Sequence, residues 1–193
     1  MKKLVLIVML AVGSLSATYA QVFEESMGTV TKNVSIAGHY AAKGFKNCEF
    51  LKFSGSAEVQ LQGASPRNSI YATLFGEASR GANIRIADVP GTDFVISGIN
   101  TKDIQSPVLG FGILKGVVKS NGSDLAVEYS LDGKKWNRLK FDPLSVEEGS
   151  ALVWTYRVTS ELPQAKELAI RFRQTGGGCV FRIDDVGISS KKD

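Results

Sequence analysis

Apolar side chains in this chain fall at every second position, in short runs broken by turn residues. Between Asp124 and Leu131 a period of two puts Leu125, Val127, Tyr129 and Leu131 on one face. Asp132-Gly133 follows as a hairpin signal, with a return strand expected over Trp136 to Phe141. Leu152, Trp154, Tyr156 and Val158 alternate in the same way and are expected in the core, with Thr155 and Arg157 facing out. Leu168, Ile170 and Phe172 alternate against Ala169, Arg171 and Arg173. Further strands are expected over 57–61, 83–87, 93–97 and 108–114, separated by Gly63–Pro66, Pro90-Gly91, Gly98 and Ser120–Ser123. No segment keeps a helical period over three turns. About ten short strands at this spacing predict an all-β fold, a two-sheet antiparallel β-sandwich.

The first twenty residues do not belong to that pattern. Lys2 and Lys3 precede an unbroken apolar run from Leu4 to Val12, and Thr18-Tyr19-Ala20 fits the small-x-small signature of signal peptidase. The run is far short of the ~20 residues a membrane span needs. Residues 1–20 therefore read as a cleavable signal peptide and 21–193 as a single domain, exported to the periplasm or beyond the cell, with no membrane span after cleavage. A domain of this size buries about 70% of its unfolded surface and needs no covalent staple. The full chain carries a formal charge of +4, but two of those charges are Lys2 and Lys3. The small remaining excess argues against nucleic acid as a partner.

Two cysteines, Cys48 and Cys179, are present in a chain bound for a compartment where disulfides persist. They read equally as a bonded pair or as two unrelated buried thiols. His39 is the single histidine, and no nucleophile elbow, zinc spacing or distinctive carboxylate pair accompanies it, so the chain is expected not to be an enzyme.

The last strand candidate, Phe181-Arg182-Ile183-Asp184-Asp185-Val186-Gly187-Ile188, carries two adjacent acids in an otherwise apolar run. An unpaired buried carboxylate costs several kcal/mol, about 2–7 for even a neutral polar group, so these acids should meet water, a cation or a metal. The order of an opening Phe23-Glu24-Glu25, the Tyr129–Gly133 hairpin with Trp136, Leu168–Phe172 and this closing run resembles the galactose-binding-like jelly-roll modules of secreted bacterial proteins, cousins of MAM domains and several carbohydrate-binding modules. The resemblance implies a jelly roll in which the first and last strands lie together. It also implies a structural calcium ion tying them, held by Glu24 and Asp185 with Asp184 as the alternate. Without a metal, Glu24 and Asp184 would be solvated and Asp185 would pair with Arg182 or Arg171.

Trp136 shares a face with Arg138 and Lys140, which points it outward. Arg171, Arg173 and Arg182 are expected on one exposed sheet face, either as a solvated basic surface or as a grip for acidic or hydroxyl-rich sugars. Trp136, Arg171, Arg173 and Arg182 are thus the candidate ligand-binding residues. The expected function is that of an exported, non-catalytic binding module with a carbohydrate ligand. The rival is a structural component of the cell envelope or surface that contacts a cell-surface protein and has no affinity for sugar.

Overall fold

The computed structural model describes residues 23–60 and 71–190. The expected signal peptide, its cleavage site and the Gly63–Pro66 turn lie outside the described residues. In chain order the strands are β1 (Phe23–Glu25), β2 (Val34–Ser35), β3 (Lys52–Ser54), β4 (Glu58–Gln60), β5 (Ala72–Thr73), β6 (Gly76–Glu77) and β7 (Asn83–Ile86). They continue as β8 (Asp93–Ile99), β9 (Pro107–Lys115), β10 (Leu125–Ser130), β11 (Asn137–Arg138), β12 (Thr155–Glu161), β13 (Leu168–Gln174) and β14 (Phe181–Ser190). A short helix, α1 (Ile36–Ala41), is the element that strand periodicity did not anticipate. Ser35 caps it, its hydroxyl accepting from the Gly38 N–H at 3.1 Å.

Two antiparallel sheets face each other in a jelly-roll sandwich. One runs β12-β9-β14-β7-β4-β2 with β1 attached to β14; the other runs β11-β10-β13-β8-β3; β5 and β6 form a small separate hairpin. The alternating residues read from the sequence meet between the sheets. Phe111 of β9 packs edge-on against Phe172 of β13 at 5.2 Å, and Phe172 stacks on Phe94 of β8. Phe53 and Phe45 extend the aromatic row toward α1, where His39 meets Phe45 edge-on at 4.6 Å.

β14 is the central organiser of the larger sheet. It pairs with β9 along its whole length on one side. On the other it pairs with β7 over Phe181–Ile183 and with β1 over Val186–Ile188. A bulge interrupts its register between Asp184 and Gly187, and Asp185 there adopts a left-handed φ of 46°. The two acids therefore occupy the point where one neighbour ends and the next begins. Ladder partners are missing at this point, and carboxylates are suited to supply acceptors. First and last strands do lie together, with Glu24 opposite Gly187.

Two expectations need correction, and the two readings of the cysteines resolve to one. The 152–158 alternation does not point Trp154 and Tyr156 between the sheets. Tyr156 stands opposite Gly112 of β9, whose neighbours Phe111 and Ile113 take the inward positions. Leu152 and Val158 are largely exposed, while Thr155 and Arg157 oppose Ile113 and Phe111. The return strand over 136–141 shortens to Asn137–Arg138, although the Leu139 N–H still donates to Val127 O at 2.8 Å. Cys48 and Cys179 are free thiols: Cys179 is in the core and Cys48 is half-buried against it.

Candidate functional site

The outer face of the five-stranded sheet gathers Trp136, Arg171 and Arg173 around one acid. Leu125 and Val127 of β10 point into the core, so Ala126 and Glu128 point out; Ile170 and Phe172 of β13 likewise leave Arg171 and Arg173 outward. Glu128 lies opposite Arg138 on β11 and Arg171 on β13, and Arg171 lies opposite Val95 on β8, itself opposite Ser54 on β3. One cross-strand row therefore spans the whole sheet.

Arg171 donates through Nε to Glu128 Oε2 at 2.9 Å, and its Nη2 makes an ion pair with the same oxygen at 2.9 Å. Arg173 donates through Nε to Oε2 at 3.3 Å and through Nη2 to Oε1 at 3.2 Å. Burial by itself would push the Glu128 carboxyl up, but the Arg173 hydrogen bonds and the Arg171 charge outweigh it and hold it below the usual carboxylate range. Glu128 in turn holds the Arg173 guanidinium above its ordinary value. The Arg171 guanidinium carbon sits 4.0 Å from the centre of the Trp136 ring. These groups form a preorganised charged cluster rather than four independent side chains. At one end of the same face, Ser97, Ser130, Leu131, Asp132, Gly133 and Ala169 line a shallow depression of about 260 Å³.

Arg182 does not join this cluster. It lies on β14 of the other sheet, opposite Arg85 and Leu114. Burial and then the Arg85 charge push its guanidinium down, and its place on the other sheet separates it from Arg171. Periodicity could place all three arginines on outward positions of their strands. It could not tell which sheet each strand would enter.

The acids at the bulge are held by protein groups. Asp185 accepts from the Tyr71 hydroxyl at 2.5 Å and from the Ser79 N–H at 3.1 Å, and neither Arg182 nor Arg171 is its partner. Tyr71 lies on the outer face of the larger sheet, stacked on Tyr156 at 5.7 Å and close to Trp154. Burial and the charges of Asp184 and Asp185 push its hydroxyl up. Glu24 Oε2 pairs with Lys46 Nζ at 3.3 Å. Its neighbour Glu25, which sequence reasoning passed over, is fully buried and accepts four hydrogen bonds, from Met27 N, Lys46 N, Asn47 N and Asn47 Nδ2. The signal was available: Glu25 shares strand parity with the core residue Phe23.

Asp184 is different. It is buried, and its carboxylate accepts a hydrogen bond from the Asp185 N–H at 2.8 Å. Burial, with the Asp185 and Glu25 charges, pushes its carboxyl well above the usual range. The β14–β7 pairing ends at Ile183–Ile84, next in sequence to Asp184 on β14 and to Asn83 on β7, and Asn83 lies opposite Gln60 on β4. Asn83 is fully buried with both amide atoms unpartnered, and Gln60 Oε1 is also buried and unpartnered. Such an oxygen set suits a hard cation. The trio Glu24, Asp184 and Asp185 does not converge: among the described residues no three His, Cys, Asp or Glu side chains are grouped to hold a metal.

His39 serves the fold. Its Nε2 is 3.0 Å from Met27 O and its ring is enclosed by Phe45 and by Gly44, where a Cβ would stand 2.1 Å from the imidazole. Lys115 is also committed. Its buried ammonium donates to the carbonyls of Val118, Ser120 and Ser145, and burial pushes it below its ordinary value.

No protein-family model matches the chain, and no curated protein matches it in sequence. Solved structures do match it in fold. The K2 cleaved adhesin domain of Lys-gingipain aligns over 88% of this chain and 99% of its own, at 12% identity and a TM-score of 0.52. The K1 cleaved adhesin domain of Lys-gingipain from Porphyromonas gingivalis W83 covers 89% and 99%, also at 12% identity, with a TM-score of 0.50. TmCBM61 in complex with beta-1,4-galactotriose is a weaker likeness, covering 73% and 88% at 15% identity and a TM-score of 0.41. The chain is similar to these domains in its jelly-roll β-sandwich. No helix among the described residues is long and apolar enough to cross a membrane.

Proposed function

We propose that this chain is an exported, non-catalytic binding module whose ligand is a carbohydrate, held on the outer face of the five-stranded sheet. The observation that supports this is the cluster of Trp136, Arg171, Glu128 and Arg173 on one outward face, its side chains locked by mutual contacts. Fixed polar groups beside an aromatic suit hydroxyl-rich ligands, because little side-chain entropy is lost on binding. A glycan array comparing the wild type with Trp136→Ala tests the reading. The expected result is binding to a defined glycan class that the variant loses. An array with no bound glycan would leave the rival, a protein-contact platform at the cell surface; that rival has its own support in the fold shared with adhesin domains.

A structural calcium ion is part of the proposal, with a revised ligand set. Asp184 would supply the charge, and Asn83 and Gln60 would supply the neighbouring oxygens. The support is the desolvated Asp184 carboxyl where the β14–β7 pairing ends, together with buried, unpartnered amide oxygens of Asn83 and Gln60 on the neighbouring strands. The ion would offset the charge that burial leaves uncompensated, and its role would be to hold β14, β7 and β4 together. Thermal melts in calcium and in EDTA decide it. Calcium is expected to raise the midpoint, by about 2.7 kcal/mol of stability at a hundredfold excess over Kd; coincident midpoints end the calcium reading.

A further inference from the structure

We infer that the ligand of the five-stranded face is an anionic glycan, bearing carboxylate or sulfate groups, gripped by Arg173 and Arg171. This rests on the binding-module reading above and specifies its ligand class. The first ground is that the Trp136 ring is already engaged. With the Arg171 guanidinium 4.0 Å from its centre, one indole face is covered by a cation, where a neutral pyranose would need an open face. Trp136 thus acts as a buttress that holds Arg171 flat, and it is a positioning residue for the charge.

The second ground is the charge count. Two guanidiniums share the single Glu128 carboxylate, so the cluster keeps one positive charge after pairing. Among the residues paired across the sheet, Lys52, Arg138, Arg171 and Arg173 stand against Asp93, opposite Arg173, and Glu128, while Asp132 and Glu167 lie apart at the depression at one end of the face. Asp93 is itself turned to Ser56, accepting from its N–H at 3.0 Å and its hydroxyl at 3.2 Å. The third ground is donor geometry. Arg173 spends Nε and Nη2 on Glu128, which leaves the Nη1 group of a side chain that is 34% exposed. An anionic oxygen is the acceptor that a guanidinium binds most strongly. On the β8–β3 side of the arginines the outward residues are small and at least partly exposed, Val95, Ser97 and Ser54, so a glycan chain can lie close to the sheet there.

Affinity electrophoresis of the full-length mature chain in gels containing polygalacturonate, dextran sulfate or neutral dextran tests the inference. Retardation is expected in at least one anionic gel and not in dextran, weakening at least tenfold between 50 and 500 mM NaCl. Arg173→Lys keeps a cation beside Glu128 and so guards against unfolding. It should weaken binding about fivefold or more, because an ammonium lacks the planar fork. Trp136→Ala should weaken binding without any change in net charge, which a purely electrostatic surface would not show. Arg182→Ala, on the other sheet, should have no effect. Preference between polygalacturonate and dextran sulfate identifies carboxylate or sulfate as the group read. Equal, salt-insensitive binding of a neutral glycan would overturn the anionic inference and leave the carbohydrate reading intact. Binding to both polyanions that neither Arg173→Lys nor Trp136→Ala alters would overturn the assigned site as a non-specific charge effect. No glycan bound in any gel or array would remove both readings together.

Discussion

Glu128 is one buried carboxylate shared by two guanidiniums, and its worth to the fold depends on its charge. Its folded pKa lies below that of the unfolded chain, so its stabilisation is present above the unfolded value, about 4.3, and is lost as pH falls through the lower folded value. Glu128→Gln is expected to lose about 1–3 kcal/mol at pH 7. Its melting midpoint should converge with that of the wild type once the pH has fallen through the lowered folded-state pKa. A constant offset across the pH range would show that shape, not charge, matters there. Asp184 makes the opposite case, a buried acid whose carboxyl burial and the Asp185 charge push well above the usual range. Asp184→Asn is expected to abolish any calcium-induced rise in midpoint while folding as well as the wild type in EDTA. A variant that still responds fully to calcium would remove Asp184 from the proposed ligand set. Asp185, by contrast, is satisfied by Tyr71 and Ser79, and its tolerance of a left-handed φ explains why an Asp suits the bulge.

At the scale of elements, β9 shows how glycine makes room for a second aromatic layer. Its inward residues Leu109, Phe111 and Ile113 fill the core, and its outward Gly110 and Gly112 leave space over the backbone. A Cβ on Gly112 would stand 2.2 Å from the Tyr71 hydroxyl. Gly112→Ala is therefore expected to displace Tyr71 from Asp185 and cost about 1–3 kcal/mol. That is roughly 2–4 °C of midpoint per kcal/mol in a chain of this size. Tyrosine fluorescence and melting would report it; an unchanged midpoint would mean that the Tyr71 layer adds nothing. The same layer explains the misread face of β12. Trp154 and Tyr156 are covered, but by Tyr71, not by the opposite sheet. Alternation in the sequence marks a covered face without saying what covers it.

At the scale of the molecule, the sandwich is closed by contacts between the ends of the chain. β1 supplies the last neighbour of β14, and Glu25 fastens the 46–47 backbone to it through four hydrogen bonds. A chain starting after residue 25 is expected to lose more than about 3 kcal/mol, since removing the carboxylate leaves several buried donors unpaired at about 1–3 kcal/mol each. A melting midpoint within about 3 °C of the parent would refute that closure role. Because these pairings join distant parts of the chain, refolding is expected in the millisecond-to-second range of β-sandwiches, checked by stopped-flow fluorescence. The sequence by itself determined the longer strands, the two-layer architecture and the shared faces of Leu125 with Val127 and of Leu168 with Ile170 and Phe172, because a period of two is a local property of each strand. It also marked Asp184 and Asp185 as acids that the last strand must satisfy with water, a cation or a metal. Only the tertiary structure decided that Arg171 and Arg173 share Glu128 while Arg182 faces away on the other sheet. It likewise decided that Glu24 turns to Lys46 and Glu25 is the buried acid. Those outcomes depend on which strands become neighbours, and strand order is set by long-range pairing that no local period encodes.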